Sequence, residues 1–318
     1  MTVARAKADS PARAARPRRV AILADAGKPG VVELARELQA WFATERVSAR
    51  LLLEPRAWES GRPPACDLVV VLGGDGAILS AVRAYEKRPT PTIGINFGRV
   101  GFLASVEATH WRDALEDVLA GRARVEQRMR LSVEYRDARG QTRRATALND
   151  AVLTRGAFQG MLEMALKVGS DWVTNYRADG LVVSTPSGST AYSLAAGGPI
   201  LAPALQAMVV TPISPQALSH RPIVLDGAAR LRLEITRASG MTTLVVDGQG
   251  FHPLEEGDAV VMRAHPKPYP LLSPRSFDPF RRLRERLGWR GSVEPDVFPG
   301  RARGRKSGGR DSGRNGVL

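Results

Sequence analysis

The chain is short of cysteine, histidine, aromatic residues and long apolar runs, and each shortage narrows what it can be. One cysteine in 318 residues, Cys66, cannot close an intrachain disulfide and has no Cys or His partners at zinc-ligand spacing. A reducing compartment, the cytoplasm, is therefore expected. The four histidines, His110, His220, His252 and His265, lie far apart and form no H-E-x-x-H pair, so no metal site built from side chains is expected. No apolar run approaches the roughly 18 residues of a membrane span, which argues against a membrane partner. Neither a Walker A loop nor the G-x-G-x-x-G of dinucleotide dehydrogenases occurs, so both standard nucleotide loops are missing.

What is present is an ordinary globular composition, 43% hydrophobic and 25% charged, in a chain long enough for about two domains. The net charge of +14 suggests nucleic acid until it is divided along the chain. Residues 1–19 carry six basic residues against one acidic, and residues 290–318 carry seven against three. A net +9 of the +14 thus sits in the ends, which have few apolar residues and no interleaved aromatics, so nucleic acid is not the expected partner. Residues 1–18 and 290–318 are expected to be disordered basic tails.

From Arg19 the pattern alternates strand and helix. Val20–Leu23 is followed by Val31, Leu34, Leu38, Trp41 and Phe42 at helical spacing. Leu51–Leu53, the unbroken apolar run Leu68–Leu72 and Pro91–Ile95 supply further strands, and Trp111, Leu115, Val118 and Leu119 form a helical stripe. Residues 19–122 are therefore expected to form a doubly wound, Rossmann-like α/β domain. After Arg124 the period becomes two: Leu131–Tyr135 leads into a turn at 137–140, and Ala145–Leu153 is expected to run back as the second strand of a hairpin. Further strands are expected at 164–168, 180–184, 223–225, 231–235, 242–247 and 259–263. Residues 123–272 are expected to be a β-rich, sandwich-like domain, and 273–289 a terminal helix, with Phe280, Leu283 and Leu287 on one face, packing back on the body.

Four segments carry candidate chemistry. Gly73-Gly74-Asp75-Gly76 follows the most apolar strand and precedes a helix, where open α/β sheets bind ligands. Its glycines let backbone amides approach a phosphate chain. A carboxylate there repels phosphate unless a metal or a substrate hydroxyl intervenes, so Asp75 suits metal binding or proton removal. The loop from Gly94 to Leu103 contains Asn96 and Arg99, and Arg99 could neutralise phosphate. Asn149-Asp150 pairs an amide, suited to a base edge, with a carboxylate, suited to ribose hydroxyls. The longest block runs from Arg177-Ala178-Asp179-Gly180 through Ser187, Gly188, Ser189, Thr190, Ala191, Tyr192, Ser193, Leu194 and Ala195. It is small and hydroxylated, with Tyr192 available for stacking. Val245–Gly250 reads as a tight turn with Gln249 near its tip.

Together, and in this order, these segments resemble the NAD kinase family over most of residues 19–289. Gly73–Gly76 is similar to its G-G-D-G motif, Asn96 with Gly98, Gly101, Phe102 and Leu103 to its G-x-N-x-G-x-x-G-F-L loop, and Asn149-Asp150 to its N-[DE] pair. The block from Arg177 to Ser193 resembles its most distinctive segment, and Arg221-Pro222-Ile223-Val224 its later strand. The resemblance implies an active site between the two domains, with ATP as phosphoryl donor, a divalent cation such as magnesium, NAD as substrate, and a homodimer or homotetramer in which a neighbour helps complete the site. It implies that Asp75, with Gly73, Gly74 and Gly76, forms the catalytic loop. It further implies that Asn149, Asp150, Arg177, Asp179, Ser187, Thr190 to Ala195 and Gln249 contact NAD. Two departures stand out: Ala77 replaces a common Thr, and a common His is missing near Pro215-Gln216. A lipid kinase sharing the G-G-D-G loop, or a non-catalytic NAD sensor, are the competing readings.

Overall fold

The computed structural model describes residues 16–53, 58, 63–97, 101–136, 139–156 and 160–289. Four parallel strands, β1 (Arg19–Ala24), β2 (Ser48–Leu52), β3 (Leu68–Leu72) and β4 (Thr92–Asn96), lie in the order β2-β1-β3-β4. Side chains alternate across the sheet, so β1 serves two cores at once. Val20, Ile22 and Ala24 pack with helices α1 (Val31–Thr44) and α3 (Trp111–Leu119), where Trp41 and Trp111 meet edge to face at 5.5 Å. Ala21 and Leu23 pack on the opposite face with α2 (Asp75–Ala84). Covering both faces is why β3 and β4 are buried along their whole length and why β3 reads as a continuous apolar run. Each large side chain removed from water this way, Phe42 for example, contributes about 2 kcal/mol.

The chain winds from β1 outward to β2 and from β3 outward to β4, which leaves a topological switch between β1 and β3 at their carboxyl ends. Two segments beyond residue 122 also join this sheet. Strand β6 (Arg124–Arg128) runs antiparallel to β19 (Tyr269–Ser273), and β19 lies parallel to β4 through Leu271 and Thr92. The short strand β5 (Val106–Glu107) pairs with the other end of β4. The fully buried Tyr269 fixes the join, its hydroxyl 2.9 Å from Thr92 Oγ1. Without these strands β4 would present open hydrogen-bonding groups.

The middle of the chain forms two antiparallel sheets of six strands. One, ordered β11-β10-β15-β18-β7-β8, contains β7 (Leu131–Arg136), β8 (Thr142–Ala147), β10 (Leu162–Val168), β11 (Asp171–Ala178), β15 (Leu231–Arg237) and β18 (Ala259–Ala264). The other, ordered β14-β13-β12-β9-β16-β17, contains β9 (Asp150–Arg155), β12 (Gly180–Ser184), β13 (Ala207–Ile213), β14 (Ile223–Asp226), β16 (Thr242–Val246) and β17 (Gly250–Leu254). Their inner faces share one core, in which Leu131, Val133 and Met164 of the first sheet pack with Leu153, Leu181 and Leu244 of the second. This is a sandwich.

Two expectations are corrected here. The return strand expected over 145–153 is two strands in two different sheets, β8 and β9, because the chain bends at Leu148-Asn149 and crosses between layers. Strand β13 lies outside the expected strands, and it holds Pro212, a residue that strand interiors rarely accept. The proline is tolerated because the ladder to β14 ends at Val210, before Pro212 is reached. After β12 a single 3₁₀ turn at Gly188–Thr190 leads into the one-turn helix α4 (Tyr192–Ala195). Helix α5 (Pro279–Leu287) is a separate unit, started by Asp278 accepting the Phe280 amide at 2.9 Å and stopped by Gly288 at φ 65°.

Candidate active site

At the carboxyl end of β3 the chain turns through Gly73 and Gly74 directly into α2, so Asp75 occupies the helix's first turn rather than the loop before it. Gly74 provides no side-chain cap. The Asp75 carboxylate instead accepts three successive backbone amides from the segment after β4: Phe102 N–H on Oδ2 at 2.8 Å, and Leu103 and Ala104 N–H on Oδ1 at 3.0 and 3.1 Å. Gly101 makes this possible, since a β-carbon there would stand 1.8 Å from Asp75 Oδ1. A carboxylate has about four lone-pair positions, so three amides leave room for one more donor.

A second carboxylate is bound in the same manner. Asp247 accepts the amides of Leu148, at 2.8 Å on Oδ2, and of Asn149 and Asp150, at 2.8 and 3.1 Å on Oδ1. These amides lie where the chain crosses between sheets, so Asp247 supplies the acceptors that a strand partner would otherwise give. Asp247 and Gly248, both at positive φ (50° and 65°), are the central residues of a tight turn closed by Gln249 N–H on the Val246 carbonyl at 3.1 Å, within the three-residue connection between β16 and β17. Burial, and then the charge of Asp247, raise the Asp150 carboxyl to a pKa of about 7. Asp247 is itself raised by burial, against the pull of its three amides.

The same turn reaches the first sheet. The Gln249 Nε2 donates to the Gly76 carbonyl at 3.2 Å, and its Oε1 accepts from Ser80 Oγ at 3.3 Å and from Arg83. One turn thus fixes Asn149-Asp150 through Asp247 and the start of α2 through Gln249. Behind Asn149, the loop after β12 packs backbone to backbone: Thr185 N–H donates to the Asn149 carbonyl at 2.8 Å, and a β-carbon on Gly188 would stand 2.0 Å from that oxygen. Ser187 Oγ accepts from Arg128 Nη1 at 3.3 Å, and Arg128 also pairs with Glu126.

Several buried groups in this region have no hydrogen-bond partner: Asn96 Nδ2, Asn149 Oδ1, Ser184 Oγ and Arg128 Nε. Unfilled polar groups at one place are what a bound polar ligand completes. The remaining sequence candidates lie elsewhere. Arg177 pairs with Glu163 at 3.7 Å and Asp179 with Arg155 at 2.6 Å, and none of the hydrogen bonds of Arg177 or Asp179 reaches the Asp75 and Asp247 groups. Thr190 Oγ1 donates to the Ser187 carbonyl, Ser193 Oγ meets Thr211 Oγ1 at 2.9 Å, and Tyr192 is 46% exposed. Ala191 and Leu194 are half-buried and Ala195 is exposed. Gln216, in the segment where the common His is missing, donates its backbone N–H to the Arg177 carbonyl at 2.9 Å. Arg99, with Gly98, lies outside the described residues.

Sequence reasoning missed Asp247 and Arg128. Asp247 had a local signal, the Asp-Gly pair of a tight hairpin turn, but nothing local ties its carboxylate to residues a hundred positions earlier. Arg128 had none. Among the described residues no group of three or more His, Cys, Asp or Glu side chains is placed to hold a metal ion, and three of the Asp75 lone-pair positions are taken by amides.

A doubly wound sheet with a Gly-Gly-Asp-Gly strand-to-helix turn at its carboxyl edge, set against a β-sandwich that contributes polar groups, defines a kinase-type phosphotransferase. Residues 54–123 match the model of the ATP-NAD kinase N-terminal domain and residues 148–273 that of the ATP-NAD kinase C-terminal domain. An NAD kinase of Heliobacterium modesticaldum is 39% identical over 279 residues, 84% of this chain and 98% of that protein. One of Cellvibrio japonicus is 43% identical over 231 residues, 72% of this chain and 76% of that protein. The chain belongs to the NAD kinase family. The fold is shared with a yeast NADH kinase solved with NADH, at a TM-score of 0.77 and 24% identity, covering 90% of this chain and 94% of that one.

Proposed function

We propose that this chain transfers the terminal phosphoryl group of ATP to the 2'-hydroxyl of the adenosine ribose of NAD, giving NADP and ADP. The observation that carries the mechanism is the Asp75 carboxylate, held in place by three amides with capacity for one further donor. That donor is the 2'-hydroxyl. As its oxygen bonds to the terminal phosphorus, the bond from that phosphorus to the bridging oxygen of ADP breaks and the hydroxyl proton passes to Asp75. Phosphoryl transfer has a loose transition state, so alignment matters more than base strength.

Asn149, Asp150, Ser187, Thr190 to Ala195 and Gln249 are the proposed dinucleotide contacts, with Asn96 completing its amide on bound ligand. Arg177 and Asp179, engaged in ion pairs away from the Asp75 group, serve the site of a neighbouring copy in a homo-oligomer. The divalent cation arrives as part of the donor, bound to ATP. The working place is the cytoplasm, as a step of NADP formation. No helix among the described residues is long and apolar enough to cross a membrane.

The test is a coupled assay of the purified chain with NAD, ATP and magnesium, reading NADP. Asp75→Asn is expected to bind NAD and to lose turnover. Undiminished NADP formation by that variant would remove Asp75 from the mechanism, and depletion of ATP by diacylglycerol but not NAD would favour the lipid-kinase reading.

A further inference from the structure

A G-G-D-G turn puts a negative charge where a polyphosphate has to lie, and it lacks the lysine that a Walker A loop would provide. We infer that Lys28, on the loop after β1, is the residue that binds the phosphates of the donor at this turn, an inference that rests on the kinase reading above.

Three observations place it. The Lys28 loop leaves β1 at the topological switch, beside the turn that leaves β3, where open α/β sheets receive ligands. Its Nζ stands 3.8 Å from where a β-carbon on Gly73 would be. A β-carbon at Gly73 would also lie 2.7 Å from Ala77 Cβ, so glycine keeps the space between the lysine and the end of β3 clear. Lys28 is exposed, and neither Asp25 nor Asp75 forms an ion pair with it, so its charge is available. Asp25 Oδ1 accepts the Gly27 amide at 3.0 Å instead.

The backbone at Lys28 is fixed although the side chain is long. Lys28 N–H donates to the Asp25 carbonyl at 3.0 Å, and the Lys28 carbonyl accepts Val31 N–H at 3.3 Å. Pro29 follows directly and restricts Lys28 to extended conformations. A lysine so anchored delivers a movable point charge to a fixed place, which suits phosphate oxygens whose position shifts during transfer. Ala77 makes the cation more important, since the common Thr hydroxyl is absent from the same turn.

The experiment compares wild type, Lys28→Gln and Lys28→Arg in the NADP assay, and measures ADP binding by calorimetry without NAD. Lys28→Gln is expected to raise the KM for ATP and weaken ADP binding about ten- to a hundredfold, the effect of one charge-assisted contact. The KM for NAD should stay within about twofold, and Lys28→Arg should recover most of the loss because it restores the charge. Unchanged ATP KM and ADP affinity in Lys28→Gln, or a rise confined to the KM for NAD, would overturn the assignment. A wild-type chain that makes no NADP would overturn the kinase reading instead, while the ADP titrations of the same variants would still decide Lys28.

Discussion

Gly101 lies against Asp75 so closely that a β-carbon on it would come within 1.8 Å of Asp75 Oδ1 and 2.5 Å of Oδ2. Gly101→Ala therefore forces either the carboxylate or the 101–104 backbone to move. Overpacking of this kind costs about 1–3 kcal/mol, and a shift of about 1 Å at a reacting group lowers turnover about a hundredfold. Steady-state kinetics beside a thermal melt should show kcat falling far more than the stability loss accounts for. A variant with normal kcat would mean that the amide contacts to Asp75 are dispensable.

Asp247 is expected to matter without touching a substrate. Asp247→Asn keeps one carbonyl oxygen for the three amides of Leu148, Asn149 and Asp150, while Asp247→Ala keeps none. With hydrogen bonds to a charged group worth about 1.5–3 kcal/mol each, the alanine variant should lose several degrees in Tm and the asparagine variant less. Both should raise the KM for NAD more than the KM for ATP. Equal melting of all three proteins would contradict the bonding described.

Gln249→Ala removes the tie from the hairpin turn to Gly76, Ser80 and Arg83. The expected result is a fall in kcat of about tenfold, the equivalent of one hydrogen bond. A rise in the KM for NAD should accompany it, because Gln249 is also a proposed dinucleotide contact. If kcat holds and only the KM for NAD moves, the tie to α2 contributes nothing to catalysis.

Asp150 gives a pH prediction. Its carboxyl titrates near 7 in the fold against 3.8 ordinarily, so between those values the folded state holds a proton that the unfolded state has lost. Its contribution to stability is complete below about pH 4 and declines as pH rises through 7. Asp150→Asn cannot ionise, so its Tm relative to wild type should climb from about pH 4 to about pH 7 and level off above that. Asp247, raised in the same direction, adds a slope common to both proteins. A difference that does not vary with pH would show Asp150 to be charged throughout.

The parts of this molecule legible in its sequence are those set by local period. Val20–Leu23 and Leu68–Leu72 announce buried parallel strands, and the helical stripe from Val31 to Phe42 announces α1, because in each the burial is encoded within a few residues. Asp75 was recognisable at its strand-to-helix turn. Its three amide partners were not, since they come from the far end of another strand's loop. The break at Leu148-Asn149 is marked locally only by the loss of alternation over Ala147 to Leu153, and the carboxylate of Asp247, 99 positions on from Leu148, is what ties the crossing between sheets together. Tyr269–Ser273 lies outside the strands expected from the sequence, and the hydroxyl of Tyr269 meets that of Thr92 in the first sheet.

That last pairing governs how the protein can come into being. The strand that closes β4 ends at Ser273, and its neighbour β6 begins at Arg124, so the first sheet has no finished edge until the sandwich between them has been made. A nascent chain emerging from the ribosome would hold β1 to β4 ready while it waits for the 177 residues from Asn96 to Ser273, with β5 covering part of the exposed ladder. Contacts of such long sequence separation slow folding. They also make the two halves inseparable: neither can be split off, exchanged or inherited alone without taking a strand from the other.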